Sequence, residues 1–102
     1  MDSASIYMLK CSDGSYYTGT TRRSVEERVS EHAQGLDPEC YTFRRRPVTL
    51  VHAEHYLRIV DAIAAERRIK GWTRAKKEAY IRGDFAALAI LASRHKKERP
   101  SS

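Results

Sequence analysis

Two short apolar-aromatic runs, Ile6 to Cys11 and Tyr16 to Thr20, flank the dipeptide Asp13-Gly14, and this pattern commits the start of the chain to a β-hairpin. β-Branched and aromatic residues suit a pleated, half-buried surface, and Asp-Gly supplies the positive-φ positions of a tight turn. Because strand side chains alternate between faces, the length of the turn decides whether Tyr7 and Tyr17 meet. A two-residue loop would set Tyr17 opposite Lys10 and send the two phenols to opposite faces. A three-residue loop, Asp13-Gly14-Ser15 with a bulge, pairs Cys11 with Tyr17 and brings both phenols to one face. We expect the odd loop.

The rest of the chain reads as helices around a third strand. Ser24-Val25-Glu26-Glu27 is a capping box that starts a helix from Val25 to Gln34, and Gly35 ends it in the left-handed position. Val25, Val29 and Ala33 form its expected buried stripe, with Arg28 and His32 one turn apart along the border. Val48 to Ala53 is the third strand. Ile59 to Lys70 is the second helix, with Ile59, Ala62, Ile63, Glu66, Ile69 and Lys70 on or beside one face. Thr73 caps a helix from Arg74 to Arg82, closed by Gly83, and Asp84 caps a last one from Phe85 to about Ser93. Trp72 is expected in the joint between helices.

The tripeptides Ser5-Ile6-Tyr7 and Tyr17-Thr18-Gly19 resemble those that give the GIY-YIG nuclease domain its name, with Ser and Thr at two of the six positions. Arg28 and His32, then Glu66, then the run from Ile69 to Ala79 follow at the family's distances, so the resemblance spans roughly Ile6 to Ile81. It is closest to the small stand-alone branch, similar to the nuclease half of excision-repair proteins. The fold implied is α+β, a small three-stranded antiparallel sheet flanked by helices.

The resemblance also implies roles. Tyr17 is the general base on the attacking water, and Glu66 holds one divalent ion, Mg²⁺ with Mn²⁺ as a substitute. Arg28 is the phosphate clamp, with Tyr7 and His32 in support. A phenol titrates near pH 10, so Tyr17 needs either cations that favour phenolate, from among Lys10, Arg28 and the metal, or a metal-organised network that moves the proton. Bland alternatives stand beside these roles: an intrahelical pair with Ser24 or Glu27 for Arg28, and a salt bridge from Glu66 to Lys70 or Arg67. His52 and His55 suggest zinc, but residues three apart on a strand face opposite ways and no second ligand pair has metal spacing.

Charge supports a polyanionic partner: 19 Lys and Arg against 13 Asp and Glu give a net charge of +6. Nucleic acid, DNA before RNA, is the partner that fits. Lys10, Arg44, Arg45, Arg46, Lys70, Lys76 and Lys77 are the candidate phosphate contacts. The loop carrying Tyr41, Phe43 and the three arginines suits phosphates and unstacked bases, or else its aromatics simply anchor it. At 102 residues the chain is expected to form one domain over residues 1–93, with 94–102 a basic, disordered tail. The longest apolar run, Phe85 to Ala92, is too short to span a bilayer, and Asp2 stands where a signal peptide needs positive charge, so a cytoplasmic protein is expected. Cys11 and Cys40 are expected to stay reduced there. The function expected is a metal-dependent endonuclease of low sequence specificity, selecting by structure or single-strandedness. The alternative is a nucleic-acid-binding module of the same fold that does not cleave.

Overall fold

A computed structural model describes residues 2–98. The chain divides into two compact units, Met1–Lys70 and Gly71–Ser102, where length alone suggests one. In the first unit, strands β1 (Ala4–Lys10), β2 (Tyr16–Thr21) and β3 (Thr49–Tyr56) form an antiparallel sheet in the order β2-β1-β3. Helices α1 (Val25–Gln34) and α2 (Ile59–Lys70) belong to the same unit. The second unit holds α3 (Arg74–Arg82) and α4 (Phe85–Glu98), which pack on one another. The architecture is α+β, as expected. Among the described residues no helix is long and apolar enough to cross a membrane.

The central strand explains the core. Ile6, Tyr7, Met8 and Leu9 are all essentially inaccessible, and since successive side chains point to opposite faces, both sides of β1 are covered. Each of the aliphatic side chains contributes about 1.5–3 kcal/mol by this burial. Helix α2 offers Ala62, Ala65 and Ile69 as its buried stripe, and the two alanines let it approach the sheet closely.

The hairpin turn is odd, but shifted from its expected place. Cys11 and Ser15 close it, with Cys11 N–H donating to Ser15 O at 2.8 Å, so the three-residue loop is Ser12-Asp13-Gly14 rather than Asp13-Gly14-Ser15. Gly14 N–H returns to Cys11 O at 2.9 Å, and Gly14 takes φ +85°, the left-handed value that leads into a bulge. Tyr17 therefore faces Leu9, not Cys11, and Tyr7 faces Gly19. The register differs by two residues. A shift of two preserves parity, so the phenols still share a face.

Two further expectations change. Helix α1 starts at its capping box, with Glu27 N–H donating to Ser24 Oγ at 3.1 Å, and ends at Gly35 with φ +68°. Yet the residue it buries is His32, while Ala33 is exposed. A polar residue occupies the inward position because partners wait for both ring nitrogens there. Helix α4 runs to Glu98, past the expected end at Ser93. Residues 99–102 of the anticipated tail lie outside the described residues. In the second unit Trp72 packs edge-on against Tyr80, with ring centroids 5.4 Å apart.

Candidate active site

Four of the five catalytic candidates converge where β1, β2 and α1 meet. Tyr7 is 1% exposed, and its hydroxyl lies 2.9 Å from His32 Nε2. The Tyr17 ring stands 6.3 Å from that of Tyr7 and 5.1 Å from that of His32. The Arg28 guanidinium and the Tyr17 phenol lie on the side of the Tyr7 oxygen where they favour its ionised form. Gly19 makes this possible: a Cβ there would sit 2.5 Å from Cζ and Oη of Tyr7, so the tyrosine ring occupies the space that a side chain would fill.

Electrostatics at the pair oppose a standing phenolate. Burial pushes the Tyr17 phenol well above its ordinary value, Tyr7 and Cys40 add to the rise, and Arg28 offsets only part of it. Burial likewise raises Tyr7 against the pull of Arg28. His32 moves the other way, because burial and then the Arg28 charge disfavour its protonated form. The cation-stabilised phenolate expected for Tyr17 is thus not the resting state, and the network route remains.

Arg28 has a partner of its own. Its guanidinium donates to Glu31 Oε1 at 2.6 Å, while Arg23 binds both oxygens of Glu31 at 2.9 Å. These bonds hold the Glu31 carboxyl down to about 2 and raise Arg28. Glu31 is a residue that sequence reading missed, although its i,i+3 spacing from Arg28 was the available signal.

Glu66 lies on α2, which packs against β1 and β2. Its side chain is 19% exposed, and Oε2 pairs with Lys70 Nζ at 2.9 Å. The helical salt bridge is therefore present. Among the described residues no cluster of three or more His, Cys, Asp or Glu could hold a metal, so a divalent ion at this carboxylate would complete its shell with waters and substrate oxygens. That donor set suits Mg²⁺, which keeps several waters and needs few protein ligands.

The loop between α1 and β3 adds a wall. Tyr41 stacks on Tyr17, with centroids 6.1 Å apart and planes at 20°, and Arg45 lies 3.8 Å over the Tyr41 ring. Arg45 also donates to Tyr41 O and pairs with Asp13, and Arg46 covers Phe43 while donating to its carbonyl. Both arginines brace their own loop, Arg44 is exposed, and Tyr41 is 42% exposed, stacked on Tyr17 rather than anchored in the core. Thr42, buried at 1% exposure, sits 2.7 Å from His32 Nδ1. No sequence signal singled it out. Of the remaining basic candidates, Lys10 is exposed at the end of β1 and Lys70 is engaged by Glu66. Lys76 is corrected: it is only 8% exposed because it shares the buried side of α3 with Ala79, whereas Lys77 is half-exposed.

Comparison with known proteins identifies the family of this chain. The family model described as the GIY-YIG catalytic domain matches residues 3–79. A UPF0213 protein of Halobacterium salinarum is 49% identical over 74 residues, covering 72% of this chain and 94% of that one. A UPF0213 protein of Staphylococcus aureus is 45% identical over 82 residues, covering 80% and 98%. Two solution NMR structures are similar. A protein from E. faecalis gives a TM-score of 0.57 at 34% identity over 84% of this chain and 90% of its own. A UPF0213 protein from Bacillus halodurans gives 0.51 at 35% identity over 78% and 82%. With its paired tyrosines, Arg28 and His32 gathered on one hairpin and one helix, this chain belongs to the GIY-YIG domain family, among its small stand-alone UPF0213 members.

Proposed function

We propose that the protein is an endonuclease that hydrolyses nucleic-acid phosphodiester bonds, DNA before RNA, with a divalent metal and little sequence preference. The observation that carries the reading is the convergence of Tyr17, Tyr7, His32 and Arg28, with the Tyr7 hydroxyl 2.9 Å from His32 Nε2 and the Tyr17 ring 5.1 Å from that of His32. Membership of a family defined by a catalytic domain supports it.

Hydrolysis needs a proton acceptor for water and donors for the charge that grows on phosphate oxygens. Tyr17 is half-exposed and Tyr7 is buried behind it, so Tyr17 is the phenol that meets water. As water attacks phosphorus, Tyr17 takes its proton while passing its own to the Tyr7 oxygen, and Tyr7 passes one to neutral His32. The phosphorus–leaving oxygen bond then breaks, and the leaving oxygen takes a proton from solvent. No free phenolate has to form beforehand, which accords with the raised phenols. Arg28 offers paired donors to the phosphate. Glu66 would hold the metal, which when bound polarises phosphoryl oxygens and offsets their charge. Lys10 and Arg44 present cations to the flanking phosphates.

The test is cleavage of single-stranded, duplex and branched substrates with Mg²⁺, Mn²⁺ or EDTA, beside Tyr17→Phe and Glu66→Gln. Each variant should lose at least about a hundredfold in rate. Glu66→Gln should change stability by less than about 0.5 kcal/mol, since a helical ion pair with an exposed lysine is worth no more. Salt-sensitive binding with no cleavage of any substrate would replace the enzyme with the binding module.

A further inference from the structure

We infer that Thr42 is a positioning residue: it fixes which ring nitrogen of His32 carries the proton, and so sets the direction in which the tyrosine pair can release one. The hydrogen bonds around His32 can be followed donor by donor. Thr42 Oγ1 lies 2.7 Å from His32 Nδ1 and donates to Cys40 Sγ at 3.4 Å. A hydroxyl has one proton. With that proton directed at sulfur, Thr42 accepts from the ring, and Nδ1, which also has Cys40 Sγ at 3.7 Å, carries the hydrogen. Burial and the nearby Arg28 keep the ring neutral, so Nε2 keeps its lone pair. The Tyr7 hydroxyl, 2.9 Å away, then donates to Nε2.

The reverse orientation fails at the tyrosine. If Thr42 donated to Nδ1, Nε2 would carry the hydrogen and point it at the Tyr7 oxygen. The Tyr7 oxygen would then have to accept from the ring, and its own proton would turn away from its 2.9 Å partner toward the side where the Arg28 charge acts. In the assigned orientation the donors run one way, from Tyr7 to His32 to Thr42 to Cys40, and bonds aligned head to tail strengthen one another. Burial at 1% exposure keeps water from substituting for the Thr42 hydroxyl. Thr42 touches neither water nor phosphate in this scheme, and acts through His32 alone.

The consequence for cleavage rests on the nuclease reading, but the tautomer itself does not. Long-range proton–nitrogen NMR of the full chain, labelled with ¹⁵N-histidine, should show His32 with Nδ1 protonated and Nε2 bare. Thr42→Val, close in shape but without the hydroxyl, should shift His32 toward the Nε2-protonated form, and Thr42→Ser should restore the wild-type pattern. In cleavage assays Thr42→Val should lower kcat by about tenfold to a hundredfold with KM little changed, and Thr42→Ser should recover most of it. An Nε2-protonated His32 in the wild type would overturn the assignment, and that measurement stands even where the valine variant does not fold. So would an unchanged tautomer in a folded Thr42→Val. If no substrate is cleaved while the tautomers behave as stated, the nuclease reading falls and the role of Thr42 in holding His32 is supported.

Discussion

Replacing Gly19 with alanine should damage the site and the fold together, by an amount the geometry lets us work out. Gly19 has no positive φ, so backbone strain is not the issue; space is. The new Cβ would stand 2.5 Å from Cζ and Oη of Tyr7, against an ordinary contact of 3.4 Å or more, so the ring must retreat by about 1 Å. The ring is 1% exposed and its hydroxyl is bonded to His32 at 2.9 Å, so the retreat breaks that bond. Overpacking of this kind costs about 1–3 kcal/mol. Leaving His32 Nε2 unsatisfied adds about 1–3 kcal/mol, and the better strand propensity of alanine returns about 0.5–1. The net expectation is a loss of about 1–5 kcal/mol. Urea unfolding measures it, as a lower midpoint with an unchanged slope. In a Tyr7→Leu background, where the clashing atoms are gone, the same alanine should cost far less, and the cycle isolates the Tyr7 contact. A loss below about 0.5 kcal/mol in the wild-type background would refute the argument.

Three other outcomes follow from the ion pairs and the loop. Glu31 has a carboxyl held at about 2, below its ordinary 4.5, so its stabilisation is present above pH 4.5 and lost as pH falls toward 2. Acid unfolding of Glu31→Gln should therefore be flatter than wild type across that window, and parallel curves would sink the assignment. Arg28→Lys keeps the charge and loses the fork; kcat/KM should fall at least about tenfold while stability moves by less than about 1 kcal/mol, read by kinetics beside denaturation. Arg44→Ala should reduce the salt slope of nucleic-acid binding by about one unit without loss of stability, whereas Arg45→Ala should lower stability, because Arg45 holds Asp13 and covers Tyr41.

The elements of this fold were legible because their signals are local. The Ser24 box, Gly35 and Gly83 announce helix ends through the hydrogen bonds and φ values that those residues permit, and α1 and α3 begin and end there. The shared face of Tyr7 and Tyr17 was legible too, since it depends only on the parity of the turn. The register was not. Asp13-Gly14 fits either a loop of residues 12–14 or one of 13–15, and the bond from Cys11 to Ser15 that selects the first forms only in the folded hairpin. The burial of His32 ran against its polarity rather than against helix periodicity, because its partners, Tyr7 and Thr42, come from 25 residues before and 10 after. Tertiary hydrogen bonding of that kind leaves no trace in spacing. The three arginines show the same limit: composition suggests phosphate contacts, but Arg45 and Arg46 are held by carbonyls and rings of their own loop.

The bond between the hairpin tip and that loop bears on how firmly the wall beside Tyr17 is held. Between the end of α1 at Gln34 and the start of β3 at Thr49, about fourteen residues would, if tied only at their ends, lose considerable conformational freedom on ordering. The Ser12 amide binds Arg45 O at 2.8 Å, and Asp13 grips the same residue's guanidinium at 3.1 Å. The turn that aligns the two tyrosines thus also moors the far side of the connection, splitting one long span into two short ones. Widening the gap in front of Tyr17 means prying the turn from the loop, so the width of the opening is set by the same three residues that set the strand parity.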